Sequence, residues 1–160
     1  MMSLRESGMP ENAEGNGQLE FFSKKETYLK DGVFEPDLMI KMLQDIEEDS
    51  LASGYDGFRG TGEMTWFLDK VASLHDLLGY EIKCNYFYSK SRSSGICQYN
   101  ESKFDEKTLK QIVLIHPYLI VHGKLYENKY FYNPPELFSS DSRLMTDLNY
   151  DQLMRAITED

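Results

Sequence analysis

Apolar positions recur along this chain in helical stripes separated by short β-prone runs. Leu38, Met39, Met42, Leu43 and Ile46 fall on one face at the three-and-four spacing of a helix. Pro36 suits the first turn, and Glu35 and Asp37 lie near the positive end of the helix dipole, so a helix is predicted over 36–52. Phe67, Val71, Leu74, Leu77 and Leu78 form a second stripe, predicting a long helical region over 66–89 that Gly79 breaks or bends. Leu109, Ile112, Val113 and Ile115 form a third, from Asp105 to His116, stopped by Pro117. Between the stripes, residues 19–22, 57–63 and 96–99 read as short strands. Residues 118–121 are continuously apolar and read as a buried strand, with Gly123-Lys124 turning the chain into a partner over 125–127. Lys30-Asp31-Gly32 reads as a turn.

Strands separated by helices of this length need crossover connections. The expected fold class is therefore α/β, a mostly parallel sheet flanked by helices. Residues 1–17 are rich in Gly, Asn, Glu and Ser and are expected to be a flexible leader. The domain is expected over 18–138, and a tail over 139–160, set off by Pro134-Pro135, carries a short helical pattern over 151–157.

The chemistry concentrates in residues 54–66, GYDGFRGTGEMTW. On a strand, side chains alternate faces, so Arg59, Thr61 and Glu63 share one and Phe58, Gly60, Gly62 and Met64 the other. Arg59 and Glu63 either hold a polar ligand through charge-assisted hydrogen bonds or pair with each other. The glycines leave room for a backbone or a bound molecule to approach. Ligands in parallel sheets sit beyond the carboxyl ends of strands, which places Glu63, Tyr99 and Asn100 together. Trp66 is either a flat pocket wall or a core anchor. The expected ligand-binding set is therefore Arg59, Thr61, Glu63, Trp66, Tyr99 and Asn100.

His116 is expected to cap the end of its helix. His75, His116, His122, Cys84 and Cys97 have no metal-ligand spacing, so no metal and no cofactor is expected. No nucleophile elbow is present, and Glu81 is a carboxylate without an evident acid/base mate, so no catalytic residue is assigned. Asn128 with Tyr130, Phe131 and Tyr132 either closes a pocket or plugs the sheet.

A net charge of -10 with pI near 4.8 opposes direct nucleic-acid binding. The short basic runs at 24–25 and 90–92 read as solvated loops. Two cysteines without a disulfide framework, no leader pattern and no apolar run of bilayer length predict a soluble cytoplasmic protein. Eight methionines and 11 tyrosines suit a plastic interior that accepts a small organic molecule.

Four segments in order, GYDGFRGTGEMTW, CQYN at 97–100, HPYLIVHGKLYEN at 116–128 and KYFYNPPELF at 129–138, resemble the MEDS family. This is the methanogen/methylotroph sensory domain also found in a dichloromethane-responsive regulator. The resemblance is placed over residues 18–138 and matches the C-terminal portion of the family. It implies an α/β core distantly similar to the RecA-like ATPases, lacking the family's N-terminal portion. No G-x-x-x-x-G-K-S/T phosphate loop is present, which speaks against an ATPase. The implied function is a non-catalytic small-molecule-sensing or signal-input domain, working as a homodimer that completes the sheet and passing its signal to a separate signalling protein. The alternatives are a ligand-free interaction module or degenerate sensor, and a small enzyme using Glu63 or Glu81 as base.

Overall fold

The computed structural model describes residues 10, 12–29, 32–132 and 148–159. Pro36 opens α1, Pro36–Ala52, as the apolar stripe predicts. The chain then enters β1, Arg59–Glu63, and a single 3-10 turn, Thr65–Asp69. The long second helix is divided here. Lys70 takes a left-handed conformation (φ 60°), which stops the 3-10 turn. Ser73 then starts α2, Leu74–Tyr88, with its side chain accepting from Asp76 N–H while the Asp76 carboxylate accepts from Ser73 N–H. The apolar stripe runs across both pieces and hides the break. Gly79 lies inside α2 without interrupting it.

β2, Ser94–Gln98, begins two residues earlier than the apolar run suggests, because Ser94 N–H bonds to Phe58 carbonyl and extends the ladder. β1 and β2 pair in parallel, with Arg59 opposite Ser94 and Gly62 opposite Cys97. Asp105 caps α3, Glu106–Leu114, through Thr108 N–H. After Pro117 come β3, Tyr118–Val121, and β4, Lys124–Glu127, an antiparallel hairpin turned at His122 (φ 49°) and Gly123 (φ 77°). α4, Tyr150–Thr158, closes the chain behind an Asn149 capping box and packs on α3 and β4.

The fold class is mixed α/β, and three expectations about its strands are corrected. Among the described residues the sheet is not one mostly parallel layer: one parallel pair and one separate antiparallel pair are present. The stretch from β2 through α3 to β3 is long enough for a crossover, but β3 pairs with β4 instead, and Asn128 N–H bonds to Pro117 carbonyl, so the last two strands close on each other. Nor is β3 buried throughout. Tyr118 (59% exposed) and Ile120 (54%) face outward beside Leu125, while Leu119 and Tyr126 pack inward. Residues 19–22 form no strand, and Phe21 and Phe22 stand exposed.

Residues 12–19 make turns in which Ala13 is buried. Lys30 and Asp31 of the expected turn, Pro134-Pro135 and the first part of the tail lie outside the described residues. The core joins Phe34, Trp66, Leu77, Tyr80, Leu109, Ile112 and Leu153, so all four helices contribute directly or pack against it. Glu47 of α1 ties down the loop before β2, accepting from Ser91 Oγ, Arg92 N–H and both Ser93 N–H and Oγ.

Candidate functional site

An open groove of about 1140 Å³ runs between residues 17–28, the inner side of α1 and the parallel strand pair. Its wall is aromatic. Tyr28 stacks on Trp66 with ring centroids 4.8 Å apart, and Phe34 and Tyr80 pack against the same pair. Trp66 is 3% exposed and borders the groove, yet its indole N–H has no hydrogen-bond partner among the described residues. A buried donor left alone costs about 1–3 kcal/mol, which an acceptor reaching it would recover.

The alternation expected of β1 is observed: Arg59, Thr61 and Glu63 are exposed, Gly60 and Gly62 less so. These three side chains border the groove together with Trp66, whereas Tyr99 and Asn100 do not. Arg59 and Glu63 do not pair. The guanidinium donates to the carbonyls of Phe58 and Arg92 (2.8 and 3.0 Å), and the Glu63 carboxylate accepts from Thr65 N–H and Oγ. Thr61 Oγ accepts from Gln98. Asn100 serves the turn after β2, accepting from Ser102 and holding Phe104 N–H. The close approaches at the glycines are made by the chain itself: the Arg92 backbone crosses 2.9 Å from a Cβ position on Gly57, which has φ 114°, and the Tyr28 hydroxyl fills the space over Gly62.

Beneath the groove lies a buried polar cluster. Glu81 of α2 is 1% exposed, and three elements converge on it. The Tyr99 phenol donates to Oε1; the Cys97 thiol donates to Oε2 at 3.2 Å; His116 Nε2 stands 3.4 Å from Oε2. Burial opposes ionisation of Glu81, but the hydrogen bond and charge of His116, with those from Tyr99 and Cys97, hold its carboxyl below the usual range. Burial also opposes charge on His116, and the Glu81 carboxylate outweighs it and raises the imidazole. Burial first, then the Glu81 charge, pushes the Cys97 thiol and the Tyr99 phenol well up. The cluster therefore sets one buried carboxyl against an imidazole, a phenol and a thiol that all face it.

His116 fills its expected capping role, with Nδ1 bonded 2.7 Å from Ile112 carbonyl, and adds the Glu81 contact that no spacing announced. Glu81, Cys97 and His116 offer ligand atoms all within 4.8 Å of one another. Spacing rules look for neighbours in sequence, and this set is assembled by a helix, a strand and a helix end. Asn128 is structural: it is 4% exposed and its amide donates to Val113 and His116 carbonyls.

The class so defined is a mixed α/β domain with an aromatic groove laid over a buried polar cluster. The model of one protein family, described as MEDS, the MEthanogen/methylotroph, DcmR Sensory domain, matches residues 2–117, and the chain belongs to that family. Comparison with curated proteins and with solved structures finds no match. The match begins ahead of Gln18 and ends at Pro117, so the family resemblance holds while its expected restriction to a C-terminal portion is not borne out. The polar first residues offered no apolar period by which to see it. Among the described residues no helix is long and apolar enough to cross a membrane.

Proposed function

We propose that the chain is a non-catalytic, small-molecule-sensing signal-input domain of the cytoplasm, with its ligand held in the groove by Trp66 and bordered by Arg59, Thr61 and Glu63. Membership of a sensory family supports the class of function, and the unpartnered indole N–H of Trp66 beside the groove carries the location. The ligand is a small organic molecule with an apolar body for the Tyr28–Trp66 wall and one acceptor atom for the indole. Tyr99 and Asn100 act behind the site rather than in it. An enzyme based on Glu81 is disfavoured, since that carboxylate is enclosed and already accepts from three side chains.

The parallel unit β1–α2–β2 is the part of the chain that fits a distantly RecA-like sheet. Each of its strands has an outer edge unpaired among the described residues, and a second copy is the proposed cover, giving a homodimer. Tyr118, Ile120 and Leu125 form an exposed apolar face on the hairpin, which favours a second reading in which the chain also docks a separate signalling protein.

Trp66 is the sole tryptophan, so its emission reports the groove directly. Titration with a series of small halogenated and oxygenated compounds is expected to give a saturable emission change and a matching thermal shift for at least one. Trp66→Phe keeps the ring wall and removes the donor, and is expected to weaken that thermal shift titration about threefold to tenfold. A series without any saturable response overturns the reading.

A further inference from the structure

We propose that Glu81, Cys97 and His116 form a binding site for a single divalent zinc-type ion, with one coordination position left open beside the groove. The site stands apart from the ligand reading above and does not depend on it.

Three donor atoms face one another in the cluster. Glu81 Oε2, Cys97 Sγ and His116 Nε2 converge, at 3.2 Å for the sulfur and 3.4 Å for the nitrogen from the same carboxylate oxygen. Around a tetrahedral zinc, with bonds of about 2.0–2.3 Å, donor atoms lie roughly 3.3–3.8 Å apart, so these two separations need only small adjustment. Thiolate, imidazole and carboxylate are also the three side-chain donors that zinc takes.

The surrounding hydrogen bonds present these atoms and no others. Ile112 carbonyl can only accept, so the 2.7 Å contact puts a hydrogen on His116 Nδ1 and makes Nε2 the ligand atom. Tyr99 occupies Glu81 Oε1 and turns Oε2 toward the metal position. An imidazole oriented by a backbone carbonyl and a carboxylate oriented by a phenol are the outer contacts that metal sites use.

An ion of charge +2 held by the Glu81 carboxylate, the Cys97 thiolate and neutral His116 Nε2 sums to zero, with the displaced protons passing to solvent, so the loaded site buries no net charge. Three protein donors leave a fourth position, and Cys97 borders the groove, so that position is reached by water or by a groove ligand.

The test uses the full chain loaded with cobalt or zinc. One equivalent of cobalt is expected to bind, with a thiolate-to-cobalt charge-transfer band and the intense visible bands of four-coordinate cobalt, and zinc is expected to abolish both. The band is expected to persist in Cys84→Ser, whose thiol is buried but outside the cluster, and to vanish in Cys97→Ser. His116→Gln is expected to weaken binding by more than about tenfold. X-ray absorption of the zinc-loaded unmodified chain needs no variant to fold and is expected to show one sulfur at about 2.3 Å. Absence of stoichiometric binding, a band that survives Cys97→Ser, or a zinc shell without sulfur each overturns the site.

Discussion

The Tyr28 hydroxyl occupies the space that a Cβ on Gly62 would take, and the same tyrosine ring stacks on Trp66. The glycine is thus what lets the groove wall close over β1. Gly62→Ala is expected to push Tyr28 off Trp66, to lower stability by about 1–3 kcal/mol, and to change Trp66 emission without any ligand. Denaturant unfolding followed by fluorescence reads both effects.

Gly79 offers the opposite case. It sits in the interior of α2, and a Cβ there meets nothing within 4 Å. Gly79→Ala is expected to stabilise the chain by about 0.5–1 kcal/mol through reduced freedom of the unfolded state, measured as a higher denaturant midpoint at unchanged slope.

Glu81 is the most enclosed charged group among the described residues. Glu81→Ala leaves the His116 imidazole, the Tyr99 phenol and the Cys97 thiol facing an apolar void, and is expected to lower stability by about 3–5 kcal/mol. Tyr99→Phe removes one hydrogen bond to the carboxylate and is expected to cost about 1.5–3 kcal/mol. Measured together in a double-mutant cycle, the two are expected to be strongly non-additive, since Tyr99 has little to bond once Glu81 is gone.

Acid sensitivity follows from three surface carboxylates. The Ser91 hydroxyl holds Glu47 below the usual carboxylate range, the Ser73 hydroxyl does so for Asp76, and Thr108 N–H does so for Asp105. Each folded-state value lies below the unfolded one, so each contributes stability that is present above about pH 4 and lost as pH falls through the lowered value. Stability measured by urea unfolding is expected to rise with pH across this acid window, and to rise less in the combined variant Glu47→Gln, Asp76→Asn, Asp105→Asn.

Local signals carried much of the fold. The stripe from Leu38 to Ile46 behind Pro36 placed α1, Pro117 ended α3, and Gly123 placed the hairpin turn. The break at Lys70 was written in Ser73 and Asp76, a capping-box pair that the apolar stripe overshadowed. The parallel sheet was overextended because short β-prone runs say nothing of which strand they will pair with. At the site, alternation along β1 put Arg59, Thr61 and Glu63 on one face, but alternation could not tell that each would be satisfied by its own neighbours. Glu81 lacked a visible mate because its partners come from β2, the residue after it and the end of α3, which only tertiary packing brings together.

Asn128 fastens the end of the hairpin to α3 and to the segment just after it: its backbone N–H to Pro117 carbonyl, and its amide to Val113 of α3 and to the carbonyl of His116 itself. The residue whose ring meets Glu81 therefore has its main chain held by the segment that ends the hairpin. A displacement of the His116 main chain would pull on the hairpin through the Asn128 amide. A lever pivoted there would swing most at its tip around Gly123, on the arm that carries Tyr118, Ile120 and Leu125 outward.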